Sequence, residues 1–343
     1  HSPTTLFIAQ DAMQKFHENC KAFGKATLIV TGRGSAMKTG ALQQCSDSLR
    51  SNNISFHIFS EITPNPLLQT VQQCAKIYMK SGIEFVIAIG GGSVIDAAKA
   101  ICFELKGLNC LEPQTESPLP LIAIPTAAGT GSEINQYSIL TVTSKQTKVG
   151  IPNKCYPTHT YFNPDFIRTI PRNQMQSMFF DVICHAVESS LTVKTSDIQL
   201  EYSIMALNEL QTAFSLLNEQ NEITYQKLEN FALAAIYAGI AIGYSGTSIP
   251  HGISYPITYF KNISHGFACV MFLCDYLKIC DKKRVNMLLN ELGIIDIQEM
   301  ERLVAKYIQK PQMSEEEKHQ YTKIVLESGK LKQHPDEVSQ EVI

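Results

Sequence analysis

The segment from Phe85 to Ala100 constrains the fold more than any other part of the chain. The apolar run Phe85–Ile89 predicts a strand that is buried on both faces, as in a parallel sheet covered by helices. Gly90-Gly91-Gly92-Ser93 follows it directly, and Val94–Ala100 resembles the start of a helix. Backbone N–H groups converge at such a junction, and without Cβ atoms a phosphate can approach them. The segment is typical of a pyrophosphate site, although a purely structural tight turn has the same pattern.

The rest of the first half alternates predicted strands with predicted helices. Extended runs occur at Ala26–Val30, Ile54–Ile58 and Pro118–Ile124, and apolar residues at helical spacing occur at Ala36–Asn52 and Leu67–Ser81. This alternation is typical of βαβ units. It predicts an α/β fold with a doubly wound, Rossmann-like sheet.

The pattern changes in the second half, which is too long to share one core with the first. Lys148–Ile151 and Thr160–Phe162 are predicted as short strands, and from Pro171 onward the period is almost entirely helical. We therefore expect an α/β dinucleotide-binding domain over residues 1–171 and an all-helical domain over residues 172–343. The longest apolar stretch, Phe231–Gly243, is shorter than the roughly 20 residues that span a bilayer, which predicts a buried core helix.

Charge and cysteine usage exclude several classes of partner. A net charge of -3 gives no basic surface for a phosphate backbone, so we expect no nucleic-acid partner. The ten cysteines are scattered without CxxC spacing, which favours free thiols that pack in the interior and a reducing cytoplasm. No secretory signal pattern opens the chain, and we expect neither export nor a membrane partner.

Two more polar turns follow predicted strands. Thr126, Thr130 and Ser132 lie in a turn of small residues after the strand that ends at Ile124. Ligands of open α/β sheets bind beyond the carboxyl ends of the strands, so this turn strengthens the nucleotide prediction.

The other turn follows the predicted strand Ala26–Val30. Gly32 occupies the position where an NAD site commonly has a carboxylate, in the segment Gly32-Arg33-Gly34-Ser35 with Lys38 nearby. A missing carboxylate beside cations favours a 2′-phosphate, so NADP(H) is preferred over NAD(H).

Four residues of the second half form a candidate metal site. Asp181 and His185 are four residues apart, so on a helix both side chains leave the same face. His251 and His265 are each followed by glycine, each begins a segment of helical character, and Pro256–Ser264 between them is predicted to be a loop. One carboxylate and three imidazoles suit Fe²⁺ or Zn²⁺, and oxygen ligation shifts the preference toward iron or manganese. The alternative is that the histidines are ordinary core or surface residues.

Four segments in this order resemble the iron-containing, or group III, alcohol dehydrogenase family. They are GGGSVIDAAKA (90–100), PTAAGTGSE (125–133), DVICHAVES (181–189) and HGISYPITYFKNISHG (251–266). The resemblance implies the dehydroquinate synthase-like fold of that family, with an active site between an α/β and an all-α domain. It places the metal ligands at Asp181, His185, His251 and His265 and implies a homodimer.

The resemblance also implies a set of cofactor-binding residues, to which the charge argument above adds Ser35. They are Gly32, Asn65, Gly91, Gly92, Ser93, Asp96, Thr126, Thr130, Ser132 and Lys148. Two positions depart from the family. Tyr255 replaces a histidine and is our candidate proton relay, and Phe179 replaces a glycine, which predicts a narrower site.

The predicted reaction is hydride transfer between NADP(H), or NAD(H), and a small primary alcohol or aldehyde at the metal. Phe179, Phe180 and Phe260 suggest an unbranched or modest apolar substrate. Three enzymes of the same fold remain as alternatives: a metal-free maleylacetate-type reductase, a zinc polyol dehydrogenase and a dehydroquinate synthase-like lyase. A non-catalytic nucleotide-binding protein is the alternative from another class.

Overall fold

The computed structural model describes residues 2–218 and 220–336, and the chain divides into two compact units after Ile170. The first unit contains eight strands within its described residues. They are β1 (Thr5–Ile8), β2 (Ala26–Gly32), β3 (Ser55–Ile62), β4 (Phe85–Gly90), β5 (Leu121–Pro125), β6 (Ile139–Val142), β7 (Thr147–Gly150) and β8 (His159–Phe162). Six of them form one parallel sheet in the order β1-β8-β5-β4-β2-β3, while β6 and β7 pair as an antiparallel hairpin.

Helices cover both faces of this sheet. They are α1 (Ala12–Asn19), α2 (Ser35–Lys38), α3 (Ala41–Ser51), α4 (Leu68–Tyr78) and α5 (Gly92–Glu104). Along β4, Val86 and Ala88 pack into a core with α4 and α5, while Ile87 and Ile89 pack into a second core with α1 and α3. This two-sided burial explains the unbroken apolar strands and confirms the predicted doubly wound sheet.

The sheet order places the three predicted cofactor turns side by side. β3 lies on one side of β2 and β4 on the other, so the chain reverses direction across the sheet at β2. In open parallel sheets this switch point forms the crevice in which ligands bind. Gly90 at the end of β4 is paired with Pro125 at the end of β5, so the turns after these strands leave the sheet together.

The second unit contains helices and connecting loops, with no strand among its described residues. Its helices are α6 (Arg172–Ser189), α7 (Asp197–Ala213), α8 (Tyr225–Ser245), α9 (Ile249–Lys261), α10 (His265–Val270), α11 (Leu273–Lys278), α12 (Lys282–Glu291), α13 (Ile297–Ala305) and α14 (Glu315–Glu327). Among the described helices, α8 alone is long and apolar enough to cross a membrane. It contains the predicted core segment Phe231–Gly243 and packs against α6 and α7.

Two local predictions were wrong. The helix predicted at Ala36–Asn52 is broken into α2 and α3 at Gly40, whose φ of 78° is left-handed. The loop predicted at Pro256–Ser264 is helical as far as Lys261, so Pro256 lies inside α9. Proline removes one helical hydrogen bond, but Ile257 and Phe260 pack with Tyr321 of α14, and this burial offsets the local penalty.

Candidate metal centre and cofactor-binding turns

Helix α6 supplies the first two predicted metal ligands. Asp181 and His185 are one turn apart on this helix, and their side chains are each only 5% exposed. His185 Nε2 lies 3.8 Å from Asp181 Oδ1. The predicted i, i+4 spacing therefore brings both groups to one buried face of the helix.

Helices α9 and α10 bring the other two ligands to the same place. His251 lies in the first turn of α9, and His265 is the first residue of α10. A Cβ on Gly266 would lie 1.8 Å from the backbone oxygen of Ser177, so only glycine lets α10 approach α6 this closely. The glycine after His265 thus has a structural reason: it lets the imidazole reach Asp181.

Three imidazole nitrogens surround one carboxylate oxygen. The Nε2 atoms of His251, His185 and His265 lie 3.6, 3.8 and 3.9 Å from Asp181 Oδ1. Two donors bound tetrahedrally at about 2.1 Å are about 3.4 Å apart, close to these spacings. Among the described residues neither Asp181 Oδ1 nor His251 Nε2 has a hydrogen-bond partner, although both are buried. Buried polar atoms are rarely left in this state, so the four side chains fit a bound cation.

The electrostatics of the cluster also favour positive charge. Burial alone would raise the pKa of Asp181, but His185, His265 and His251 outweigh it and hold that pKa well below its usual range. Burial alone would lower the pKa of His251, yet Cys269, Glu188 and Asp181 raise it well above its ordinary value. The site therefore keeps its carboxylate charged and stabilises a cation beside it.

Glu188 orients His251, and the sequence analysis missed it. Its side chain is fully buried, and its Oε1 lies 2.7 Å from His251 Nδ1 while Oε2 accepts from the Ser248 backbone N–H at 2.8 Å. A proton on Nδ1 that is donated to Glu188 leaves Nε2 facing Asp181 as a ligand. The signal was present, because Glu188 is one turn after His185 on the same helix.

Ser254 supports His265 in a similar way. Its hydroxyl donates to the His251 backbone oxygen at 2.7 Å and lies 3.3 Å from His265 Nδ1. A hydroxyl that already donates can still accept, so it suits a proton on His265 Nδ1 and leaves Nε2 for a metal. No pattern in the sequence identified this residue.

Cys269 also lies in the cluster, contrary to the prediction that all ten cysteines are packing residues. Its Sγ lies 3.8 Å from Nδ1 and 3.9 Å from Nε2 of His265. Donor atoms of Asp181, His251, His265 and Cys269 all lie within 4.8 Å of one another. The i, i+4 spacing from His265 was the available signal.

The cluster is reached from the side of His265. This side chain is 28% exposed, whereas those of Asp181, His185 and His251 are 4–5% exposed. The Tyr255 ring is half-buried and lies nearly parallel to the His265 ring, with centroids 6.3 Å apart. The candidate proton relay therefore stands beside the accessible ligand.

The three predicted substrate-lining aromatics are packing residues instead. Phe179 is fully buried against Phe231 and Phe214, with ring centroids 5.6 and 5.8 Å away, so it does not narrow the site as predicted. Two residues before Asp181 on a helix, its side chain points to a different face. Phe180 packs against Phe267 and Tyr307, and Phe260 stacks on Tyr321. These rings give no evidence about substrate shape.

In the first unit, Gly91 and Gly92 occupy a crowded turn. Gly91 caps the N-terminus of α5, and Gly92 is its first residue. A Cβ on Gly92 would lie 2.3 Å from Thr130 Oγ1, and one on Gly91 would lie 3.0 Å from the Ala127 side chain. The two glycines therefore let the turns after β4 and β5 pack together, with half-buried Ser93 in the first turn of α5.

Asp96 ties these turns to the β6 strand. Its Oδ1 accepts from Ser132 Oγ at 2.7 Å, and its Oδ2 accepts from the Ile139 backbone N–H at 2.9 Å. Ser132 Oγ is also 3.1 Å from Thr130 Oγ1. Burial raises the pKa of Asp96, while the charges of Lys99 and then Lys148 on β7 oppose that shift. The carboxylate thus holds the loop that carries the predicted cofactor contacts.

The remaining predicted contacts lie near the ends of β2 and β3. Gly32 is the last residue of β2, and Thr126 Oγ1 donates to Ser35 Oγ at 3.1 Å, which joins the turns after β2 and β5. Asn65 has a left-handed φ of 55°, and its backbone oxygen accepts from the Thr141 hydroxyl at 3.2 Å. The three turns thus form one connected edge of the sheet.

A buried lysine and glutamate lie behind this edge. Lys99 is fully buried and donates to the backbone oxygens of Asn135 and Tyr137, which fixes the loop after β5. Glu133 is also buried, and burial raises its pKa to about 7 despite the opposing charge of Lys99. No pattern in the sequence identified these two residues.

Known proteins are similar to this chain in sequence and in fold. The chain is 27% identical over 316 residues to a probable NADH-dependent butanol dehydrogenase 2 of Bacillus subtilis, covering 86% of this chain and 79% of that protein. It is 30% identical over 207 residues to a 4-hydroxybutyrate dehydrogenase of Clostridium kluyveri, covering 59% and 56%. A crystal structure of an iron-containing alcohol dehydrogenase from Thermotoga maritima is 27% identical, with a TM-score of 0.92 over 100% of this chain and 96% of that one.

The family models cover nearly all of the described chain. A model described as iron-containing alcohol dehydrogenase matches residues 3–164. A second, described as the C-terminal part of the Fe-containing alcohol dehydrogenase family, matches residues 175–328. The chain therefore belongs to the iron-containing alcohol dehydrogenase family.

Proposed function

We propose that this chain transfers hydride reversibly between NADP(H) and a small primary alcohol or aldehyde, with Fe²⁺ as the metal and Zn²⁺ as the second candidate. The observation that carries the proposal is the cluster around Asp181 Oδ1, where three Nε2 atoms lie within 3.9 Å. The butanol dehydrogenase relative supports the substrate class. A purely nucleotide-binding protein would have no use for this buried, cation-stabilising cluster.

The residues of the two units have separate roles in the proposal. A divalent metal held by Asp181, His185, His251 and His265 would supply Lewis acidity, which lowers the pKa of an alcohol and polarises a carbonyl. Glu188 and Ser254 orient His251 and His265, and the buried walls exclude water from three of the ligands. The turns after β2, β4 and β5 bind the dinucleotide that accepts or donates the hydride.

Tyr255 is proposed to pass the alcohol proton to solvent. It is the half-buried hydroxyl beside the most exposed ligand, so a substrate that enters there meets the phenol and His265 together. A phenol can act as a general acid or base when it is within reach of the reacting oxygen.

The metal part of the proposal is tested by anaerobic reconstitution. Wild type, His265→Ala and the control His319→Ala, which removes an exposed imidazole of α14, are loaded with Fe²⁺ or Zn²⁺. NADPH and NADH oxidation is then measured with a series of short aldehydes. We expect metal-dependent turnover in wild type and control, and loss of bound metal and turnover in His265→Ala. Turnover without metal would instead support a maleylacetate-type reductase.

The preference for NADP(H) rests on Gly32 and needs its own test, because the butanol dehydrogenase relative is described as NADH-dependent. Gly32→Asp introduces a carboxylate at the end of β2, while Gly32→Ala adds only a Cβ, 3.3 Å from the Ile62 backbone oxygen. We expect Gly32→Asp to lower the ratio of kcat/KM for NADPH over NADH by at least about tenfold relative to Gly32→Ala. A wild type that uses NADH better than NADPH would contradict this preference.

A further inference from the structure

Cys269 is the cysteine whose sulfur lies beside predicted metal ligands. Cys20 and Cys280 donate their S–H to backbone oxygens of the preceding turn, and Cys280 Sγ also lies 3.7 Å from His334 Nε2, but His334 is not a predicted ligand. Cys269 Sγ faces the two ring nitrogens of His265 at 3.8 and 3.9 Å, and the residue is completely buried. Its sulfur therefore points toward the ligand cluster.

Helical spacing explains how the sulfur reaches the cluster. His265 and Cys269 are i and i+4 on α10, so their side chains leave the same face of the helix. Gly266 lets this helix pack closely against α6, because any Cβ there would lie 2.9 Å from Asp181 Cβ. The close packing that brings His265 to Asp181 also brings in Cys269.

A second observation at the same place points to a ligand. The buried atoms Asp181 Oδ1 and His251 Nε2 have no hydrogen-bond partner among the described residues. Donor atoms of Asp181, His251, His265 and Cys269 form a set whose members lie within 4.8 Å of one another. The sulfur is therefore within the group of atoms that a cation would join.

We propose that Cys269 is an additional metal donor, so that the site contains one soft sulfur beside the carboxylate and the imidazoles. The inference rests on the proposed function, since it concerns the same metal. Binding forms an S–metal bond, and the S–H proton passes to solvent. Because thiolate favours thiophilic ions, Cys269 shifts the metal preference of the site from iron toward zinc.

Co²⁺ provides a direct spectroscopic test. The full-length protein, prepared free of metal under anaerobic conditions, is titrated with Co²⁺ and its absorption spectrum is recorded. A thiolate bound to Co²⁺ gives a near-ultraviolet charge-transfer band that carboxylate and imidazole ligands do not give. Wild type is compared with Cys269→Ser, Cys269→Ala and the control Cys274→Ser, which removes another buried thiol of the same unit. Circular dichroism verifies that each variant is folded.

We expect the band in wild type and Cys274→Ser, and its loss in both Cys269 variants while visible Co²⁺ transitions persist. The ratio of Zn²⁺ to Fe²⁺ affinity, measured by competition with a chelator, should fall at least about tenfold in Cys269→Ser. Bound Co²⁺ without the band in wild type, or a band that survives in Cys269→Ala, would overturn the role of Cys269 and leave the metal site intact. Failure of wild type to bind Co²⁺ at all would overturn the metal site and, with it, this inference.

Discussion

The cofactor turns of the first unit and the metal cluster of the second satisfy their polar groups in opposite ways. In the turns, both oxygens of Asp96 accept hydrogen bonds from the protein, and Thr126 donates to Ser35. In the cluster, Asp181 Oδ1 and His251 Nε2 are buried without hydrogen-bond partners among the described residues. Asp96 and Thr126 thus find their hydrogen-bond partners within the protein, whereas the cluster leaves two buried polar atoms that a cation would satisfy.

This contrast shows what each motif selects. The glycine-rich turns require side chains to be absent, because Thr130 occupies the space a Cβ on Gly92 would need. The cluster requires particular side chains and a second layer that orients them, such as Glu188 behind His251. Substitutions in the cofactor turns should therefore act through packing, and substitutions in the cluster through metal affinity. A substitution at Gly266 should change both.

The largest expected effect is that of Gly266→Ala. The added Cβ would collide with the backbone oxygen of Ser177, which cannot move as a flexible side chain can. We expect the free energy of unfolding to fall by more than about 3 kcal/mol, the upper end of ordinary overpacking, together with loss of metal binding. Gly252→Ala is the control, because the nearest atoms to its Cβ would be side-chain atoms, Lys330 Cβ at 3.1 Å and Val325 Cγ1 at 3.4 Å, rather than backbone. This change should alter stability by no more than about 1 kcal/mol. Stability is measured by urea unfolding and metal binding by titration. Equal effects of Gly266→Ala and Gly252→Ala would show that the close approach of α10 to α6 is unimportant.

Glu188→Gln should have an intermediate effect on metal affinity. The amide keeps the shape of the carboxylate, but it removes the charge that faces His251 Nδ1, and its NH2 group must face either that ring or the Ser248 N–H, both of which are donors. Loss of such an orienting partner typically lowers metal affinity about 10–100-fold. Glu209→Gln on α7 is the control. It makes the same chemical change at a carboxylate that is hydrogen-bonded to Asn230, and it should leave the metal affinity unchanged. Equal affinities of Glu188→Gln and wild type in a chelator competition would remove Glu188 from the site.

The smallest expected effect concerns Glu133, a buried carboxyl of the first unit. Its Oε1 has no hydrogen-bond partner among the described residues, and burial raises its pKa from 4.5 to about 7. The folded state therefore holds this proton more tightly than the unfolded state. Stability from this group is present below pH 4.5 and is lost as the pH rises through about 7.

Glu133→Gln tests this pH dependence, because an amide does not titrate. Between pH 5 and pH 8 the variant should gain stability relative to wild type, measured by denaturant unfolding at each pH. Glu116→Gln changes a carboxylate that is 68% exposed and should show no such trend. A constant difference between Glu133→Gln and wild type across this range would show that Glu133 is charged in the folded protein throughout.

The sequence predicted the architecture well, and it brought together four side chains that do cluster in the structure, for physical reasons that are local. Runs such as Phe85–Ile89 are buried on both faces, and the i, i+4 spacing fixes Asp181 beside His185 without knowledge of the rest of the fold. The missed features depend on contacts between distant elements. Glu188 contacts His251, which is 63 residues later in the sequence, and Phe179 points into the helical core because it packs against Phe231.

Pro256 illustrates a different limit. Local chemistry predicts a loop at this proline, but packing of α9 on α14 keeps the helix intact to Lys261. Cys269 was grouped with the other free cysteines as a packing residue, although its i, i+4 spacing from His265 was a signal. The approach of α10 to α6 then brings its sulfur among the predicted ligands. Predictions from local propensity are wrong where burial in the tertiary fold contributes more free energy than the propensity does.

The unequal burial of the four predicted ligands has a consequence for how fast the proposed site would exchange its metal. Asp181, His185 and His251 are buried by the protein, and His265 alone among the four has a substantially exposed side chain. Departure of an ion would therefore begin with rotation or displacement of the His265 ring. The dissociation rate would follow the freedom of that ring and of Tyr255 beside it. The proposed site would thus combine three buried donors with one movable side chain through which metal enters and leaves.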